Sequence, residues 1–134
     1  MKNKFLNLSL SIFLLTLTAC HGKQTLKDGN YEGNYKDDTS SVKVYITVKD
    51  GKIIDCKSEE RDLRNGKNEI KDENYAKDDA DFNYKIAQKA VKNSQGYAKK
   101  LIEVQDINQV DSVSGATVSN KRFKEAVKDA FKEK

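Results

Sequence analysis

One stretch in the first half of the chain admits a single local conformation. Val42, Val44, Ile46 and Val48 alternate with Lys43, Tyr45, Thr47 and Lys49. A period of two puts all four apolar residues on one face of a strand and the polar ones on the other. Asp50-Gly51 follows at once, a two-residue hairpin signal whose residues accept the positive φ that such a turn needs. Lys52 to Ser58, with Ile53, Ile54 and Cys56, then reads as the returning strand. A hairpin with one apolar face is not stable by itself. The rest of the chain must supply strands beside it and a cover over it.

The cover is found in the second half. Phe82, Ile86 and Ala90, with Ala87 and Val91, recur at helical spacing up to Asn93. Gly96 interrupts the pattern, as a C-cap or a kink. Tyr97, Leu101 and Val104 continue a second helical segment, and Ile107 and Val110 lead on from it. From about Ser119 a final helix carries Phe123, Ala126, Val127, Ala130 and Phe131 along one face. These stripes read as core. Between the hairpin and the helices, Glu59 to Asp81 is densely charged and reads as a long surface loop with little order of its own. Tyr75 is its one aromatic residue, read as a surface tyrosine with the option of lying over a planar ligand. The architecture these elements imply is α+β, with a small antiparallel sheet built on the central hairpin and two or three helices packed on one face.

The first residues read as an address. Lys2 and Lys4 precede an almost uncharged run from Phe5 to Leu17. That run is shorter than the roughly 20 apolar residues that span a bilayer, and it has the build of a secretory signal peptide. It ends Leu17-Thr18-Ala19-Cys20, which resembles the lipobox of bacterial lipoproteins. The resemblance implies cleavage before Cys20 and acyl chains on its sulfur, anchoring the chain to the cell membrane on the extracytoplasmic side. The expected organisation is a leader over residues 1–19, a lipidated tether over 20–28 and a folded domain over 29–134. Of the 134 residues, those after the leader number 115, enough for one small core. The formal net charge is +4, of which Lys2 and Lys4 supply two. A mature charge of +2 spread among acidic residues argues for no nucleic-acid partner. His21 is the only histidine and lies in the tether. Cys56 is alone once Cys20 is lipidated, so it forms no disulfide within the chain and reads as a small buried residue.

Before the final helix stands Asp111-Ser112-Val113-Ser114-Gly115-Ala116-Thr117. Ser-Gly-Ala by itself is an ordinary turn leading into a helix cap. The whole pattern D-x-x-S-G-A-T is narrower. It resembles the flavin-attachment motif of the FMN-binding domain family, found in flavin-carrying subunits of sodium-pumping quinone reductases and in exported flavoproteins. The opening Gly29-Asn30-Tyr31-Glu32-Gly33 also resembles that family, and reads as a first short strand. The resemblance implies FMN joined through its phosphate to the hydroxyl of Thr117. The residues suit that task. Gly115 permits a turn with φ > 0 and close approach of a ligand. Ala116 is small. Ser114 and Ser119 add hydroxyls, and the helix start offers N–H groups and a positive dipole end to a phosphate. Asp111 is the acidic start of the motif, implied to help a flavin transferase recognise the site. That transferase, working with FAD and Mg²⁺, would be a maturation partner.

The chain holds no Ser/His/Asp set, no thiol–base pair and no metal-ligand cluster. The expected role is therefore a lipid-anchored flavoprotein that relays electrons between a membrane reductase and another acceptor, rather than a stand-alone enzyme. Two other classes stay open at this point: a small flavin reductase with its own substrate, and a flavin-free surface lipoprotein that binds a protein partner.

Overall fold

A computed structural model describes residues 25–132. The leader, Cys20 and most of the tether lie outside the described residues. Strands β1 (Gly29–Lys36), β2 (Ser40–Lys49), β3 (Lys52–Asp62) and β4 (Glu69–Ile70) form an antiparallel meander in the order β1-β2-β3-β4. Helices α1 (Asp81–Val104) and α2 (Thr117–Ala130) follow. The arrangement is α+β, as the alternating strand and the later helical stripes require.

The hairpin forms where expected. Asp50 and Gly51 have φ of 52° and 70°, the two left-handed residues of a tight turn, and Lys49 pairs with Lys52. Val42, Val44, Ile46 and Val48 are buried, while Tyr45 on the opposite face is exposed. The register shifts at Thr47/Val48, a bulge that brings Ile53 inward opposite Val48 and leaves Ile54 in solvent. α2 covers β1 and β2, and α1 covers β3. Leu101 and Tyr97 of α1, Phe123, Ala126 and Val127 of α2, and Val110 and Ala116 from the segment between the helices form one core with the buried strand residues. Each fully buried aliphatic side chain here contributes about 1.5–3 kcal/mol.

Two details fix the helices on the sheet. Gly33 of β1 lies directly under α2. A Cβ at Gly33 would overlap the Ala126 carbonyl oxygen and lie 2.8 Å from the Ala130 Cβ. The same seam is tied by the Asn34 N–H donating to Asp129 Oδ2 at 2.9 Å and by the Tyr31 and Phe131 rings, 4.9 Å apart. At the end of α1, Gln105 adopts φ of 60° and closes the helix. Its side-chain amide bonds both the N–H and the carbonyl of Ile53, each at 2.8 Å, in the manner of a neighbouring strand.

Three expectations are corrected. The stretch 59–81 is not a loop of little order. β3 runs through it to Asp62, β4 pairs back at Glu69–Ile70, and Tyr75 is buried. The cause is Asp62, a buried carboxylate that accepts from the Arg64 N–H and guanidinium and from the Tyr75 hydroxyl at 2.8 Å. Those Arg64 hydrogen bonds hold Asp62 far below the usual carboxylate range against the opposing pull of burial. α1 is also one helix, not two. Gly96 sits within it without positive φ, and the burial of Tyr97, Ala98 and Leu101 beyond it carries the helix on. Finally, Phe82 and Ile86 are exposed, and the α1 residues buried in the core cluster start only at Tyr97. Cys56 is buried as expected, and burial pushes its thiol up to about 12.

Candidate functional site

The turn before α2 is built by one glycine and held by two helices. The Ala116 N–H donates to the Val113 carbonyl at 2.9 Å, closing a four-residue turn. Gly115 takes its third position with φ of +84°, the value a type II turn demands there. Nothing lies within 4 Å of where a Gly115 Cβ would be, so the turn is open to a ligand on that side.

Tyr97 of α1 is the clamp. Its hydroxyl donates to the Ala116 carbonyl at 2.9 Å and accepts from the Val113 N–H at 3.0 Å. The ring is 2% exposed and stacks near Phe123 of α2. Asn93, one helical turn earlier, donates to the Ser114 carbonyl at 3.1 Å. From α2, Asn120 donates its side-chain amide to the Val110 carbonyl at 3.2 Å. The segment 110–117 is thus tied to both helices by its backbone, and its side chains are left to do other things.

Thr117 is the first residue of α2 and is exposed, with Val118 beside it 60% exposed. The residue before it is Ala116, and no side chain caps the helix. The N–H groups of the first turn therefore take no side-chain cap at the positive end of a fourteen-residue helix. Asp111, Ser114 and Gly115 are exposed on the same turn. Ala116 differs from expectation. It is 4% exposed and points into the core, so it anchors the turn rather than clearing a path for a ligand. Ser119, two residues after Thr117, is half-buried.

Ser119 opens onto a cleft between β3, the segment after β4, and α1. One part, about 170 Å³, is lined by Ser58, Glu59, Lys71, Ser94, Gln95 and Ser119. The adjoining part, about 260 Å³, is lined by Lys71, Tyr75, Ile86, Ala90, Ser94 and Ser119. Each is smaller than the roughly 300–1,000 Å³ of a pocket that buries a whole ligand.

Behind the cleft is a charged cluster that patterning alone did not reveal. Arg122 of α2 contacts Asp37 Oδ2 at 2.7 Å and Glu60 Oε1 at 3.1 Å, and donates also to Thr39. Lys71 contacts Glu60 Oε1 at 2.7 Å and Ser40 Oγ at 3.1 Å. Burial alone would raise Asp37, but the guanidinium and the hydrogen bonds from Thr39 and Ser40 hold it well below the usual range. The signal for these residues was weak. Charges at 37, 60, 71 and 122 meet only once the sheet is formed, and nothing in their spacing marks them. Tyr97 had a fainter trace, a hydroxyl inside an otherwise apolar stripe. Among the described residues, no group of three His, Cys, Asp or Glu could hold a metal ion.

A family model described as FMN-binding domain matches residues 39–132, which takes in the turn, both helices and the cleft. β1 and its Gly29–Gly33 opening precede the matched span. The crystal structure of the CPE2226 protein from Clostridium perfringens is similar to this chain at 30% identity, over 78% of this chain and 86% of that one, with a TM-score of 0.58. No curated protein matches the chain.

Proposed function

The chain belongs to the FMN-binding domain family, and from that premise we propose that it carries FMN covalently on Thr117 and relays electrons outside the cytoplasm, anchored through lipid on Cys20. What carries the reading is the turn itself. Gly115 holds an open, positive-φ bend that puts Thr117, exposed, at the uncapped start of α2, two residues before Ser119, which lines the cleft. The phosphate would take the first-turn N–H groups and the dipole end. Ser114 and Ser119 flank the position. Tyr97 and Asn93 keep the turn in place through its backbone, and Asp111 stands exposed where a transferase could reach it. Bound there, FMN supplies one- and two-electron chemistry, and the protein supplies attachment and orientation. The shallow cleft suits exchange with a redox partner, since a ring edge stays accessible.

The anchor rests on the lipobox-like Leu17-Thr18-Ala19-Cys20. Two or more acyl chains would hold the domain stably at the membrane. One experiment tests both ends of the chain. The protein is produced with a flavin transferase, extracted from membranes, and its intact mass and peptide map are measured. FMN mass is expected on the peptide holding Thr117 and acyl mass on the one beginning at Cys20. Thr117→Ala should lose all covalent flavin, keep the acyl mass and melt as before. A colourless wild type, or flavin retained in the variant, would refute the attachment. An unacylated mature chain would refute the anchor.

A further inference from the structure

We propose that Lys71 sets the reduction potential of the flavin, as a cation held at the cleft by Glu60 and, behind it, Arg122. The inference rests on the reading that FMN carried on Thr117 puts its ring in the cleft that Ser119 lines.

Lys71 is the one charged side chain that lines both parts of the cleft. It is only 16% exposed, and its Nζ is fixed from two sides by Glu60 Oε1 at 2.7 Å and Ser40 Oγ at 3.1 Å. It also stands 5.9 Å from the centroid of the Tyr75 ring. An ordinary surface lysine is held by nothing of this kind. Two other charges at the cleft have close partners outside the cluster: Arg64 is taken up by Asp62, and Glu59 by Arg61 at 2.7 Å. Asp72, half-buried, lines the same part of the cleft as Lys71, accepts the Asn74 N–H and is unchanged in every variant below.

Asp37, Arg122, Glu60 and Lys71 together sum to no net charge. That balance gives the test its sign. Oxidised flavin takes two electrons and one proton and becomes an anion carrying one more negative charge. A charge placed near a flavin ring tunes that equilibrium. Removing the Lys71 charge leaves the cluster net negative and disfavours the reduced form. Removing the Glu60 charge leaves it net positive and favours the reduced form.

The measurement is the midpoint potential of FMN on the loaded protein, by spectroelectrochemical titration with soluble mediators. Lys71→Gln should lower the ratio of reduced to oxidised flavin at least tenfold at a fixed potential, about 30 mV for a two-electron couple. Lys71→Arg, which keeps the charge, should restore the wild-type value to within a third of that shift. Glu60→Gln should move the potential the opposite way, and it provides the readout if Lys71→Gln does not fold or load. Equal potentials in wild type, Lys71→Gln and Glu60→Gln, with flavin on Thr117 in each, would overturn the role of Lys71 and leave the attachment intact. A wild type that loads no flavin would overturn both.

Discussion

At the seam between β1 and α2 a methyl group has nowhere to go, whereas at the turn before α2 it has all the room it needs. Gly33 is wedged under the backbone of Ala126 and Ala130. Gly115 faces open space and is glycine because its φ is +84°. One helix thus has two differently made ends. Its far end is locked to the sheet by close packing, by Asn34 on Asp129, and by Tyr31 on Phe131. Its near end is held by backbone hydrogen bonds to Tyr97, Asn93 and Asn120, which consume no surface. The difference separates two uses of the same residue type: glycine as absent volume serves stability, and glycine as permitted conformation serves access.

Alanine substitutions at three glycines would test that separation. Gly33→Ala should have the largest effect, a loss of about 3 kcal/mol from overpacking against backbone that cannot step aside, seen as a lower midpoint in thermal or urea unfolding. A variant as stable as wild type would mean the seam is looser than it looks. Gly115→Ala should cost less, about 1–2 kcal/mol for a left-handed residue with a side chain. Because no atom crowds the site, that cost should appear without any change in how α2 packs, which near-ultraviolet circular dichroism of the Tyr97 and Phe123 environment can check. Gly96→Ala gives the smallest effect and the opposite sign. Gly96 is exposed within α1, with nothing near its missing Cβ and no positive φ. Alanine there should stabilise by about 0.5–1 kcal/mol through helix propensity. A destabilised variant would show that Gly96 answers a need the fold does not display.

The hairpin was legible because its information is local. Val42 to Val48 and Asp50-Gly51 state their pairing within a dozen or so residues, and burial follows the stated face. The motif at 111–117 was legible for the same reason, as contiguous residues with a turn at fixed position. Tyr75, Arg64 and Asp62 were not. Each is polar or charged, each belongs to a stretch whose composition resembles a solvated loop, and their order arises from a three-way contact across the sheet edge. Phe82 and Ile86 misled in the other direction: helical spacing reported a face, but only the sheet's extent decides how much of that face is covered. Gly96 misled because a glycine in a helix lowers stability without ending it, and the buried residues after it outweigh that loss.

The burial of Cys56 carries a consequence for the chain while it folds. Only the thiolate attacks a disulfide or an oxidant. With the thiol pushed up to about 12 by burial, the folded protein presents almost no Cys56 thiolate at neutral pH. Once α1 covers β3, Cys56 is therefore a poor partner for thiol exchange. The hazard is confined to the interval before the helices cover the sheet, when the same sulfur is exposed and has its ordinary acidity. Early pairing of the local hairpin, with Asp50-Gly51 at its tip, gives the helices a formed face to dock on, so the most strongly encoded element of the fold also shortens the exposure of the Cys56 thiol.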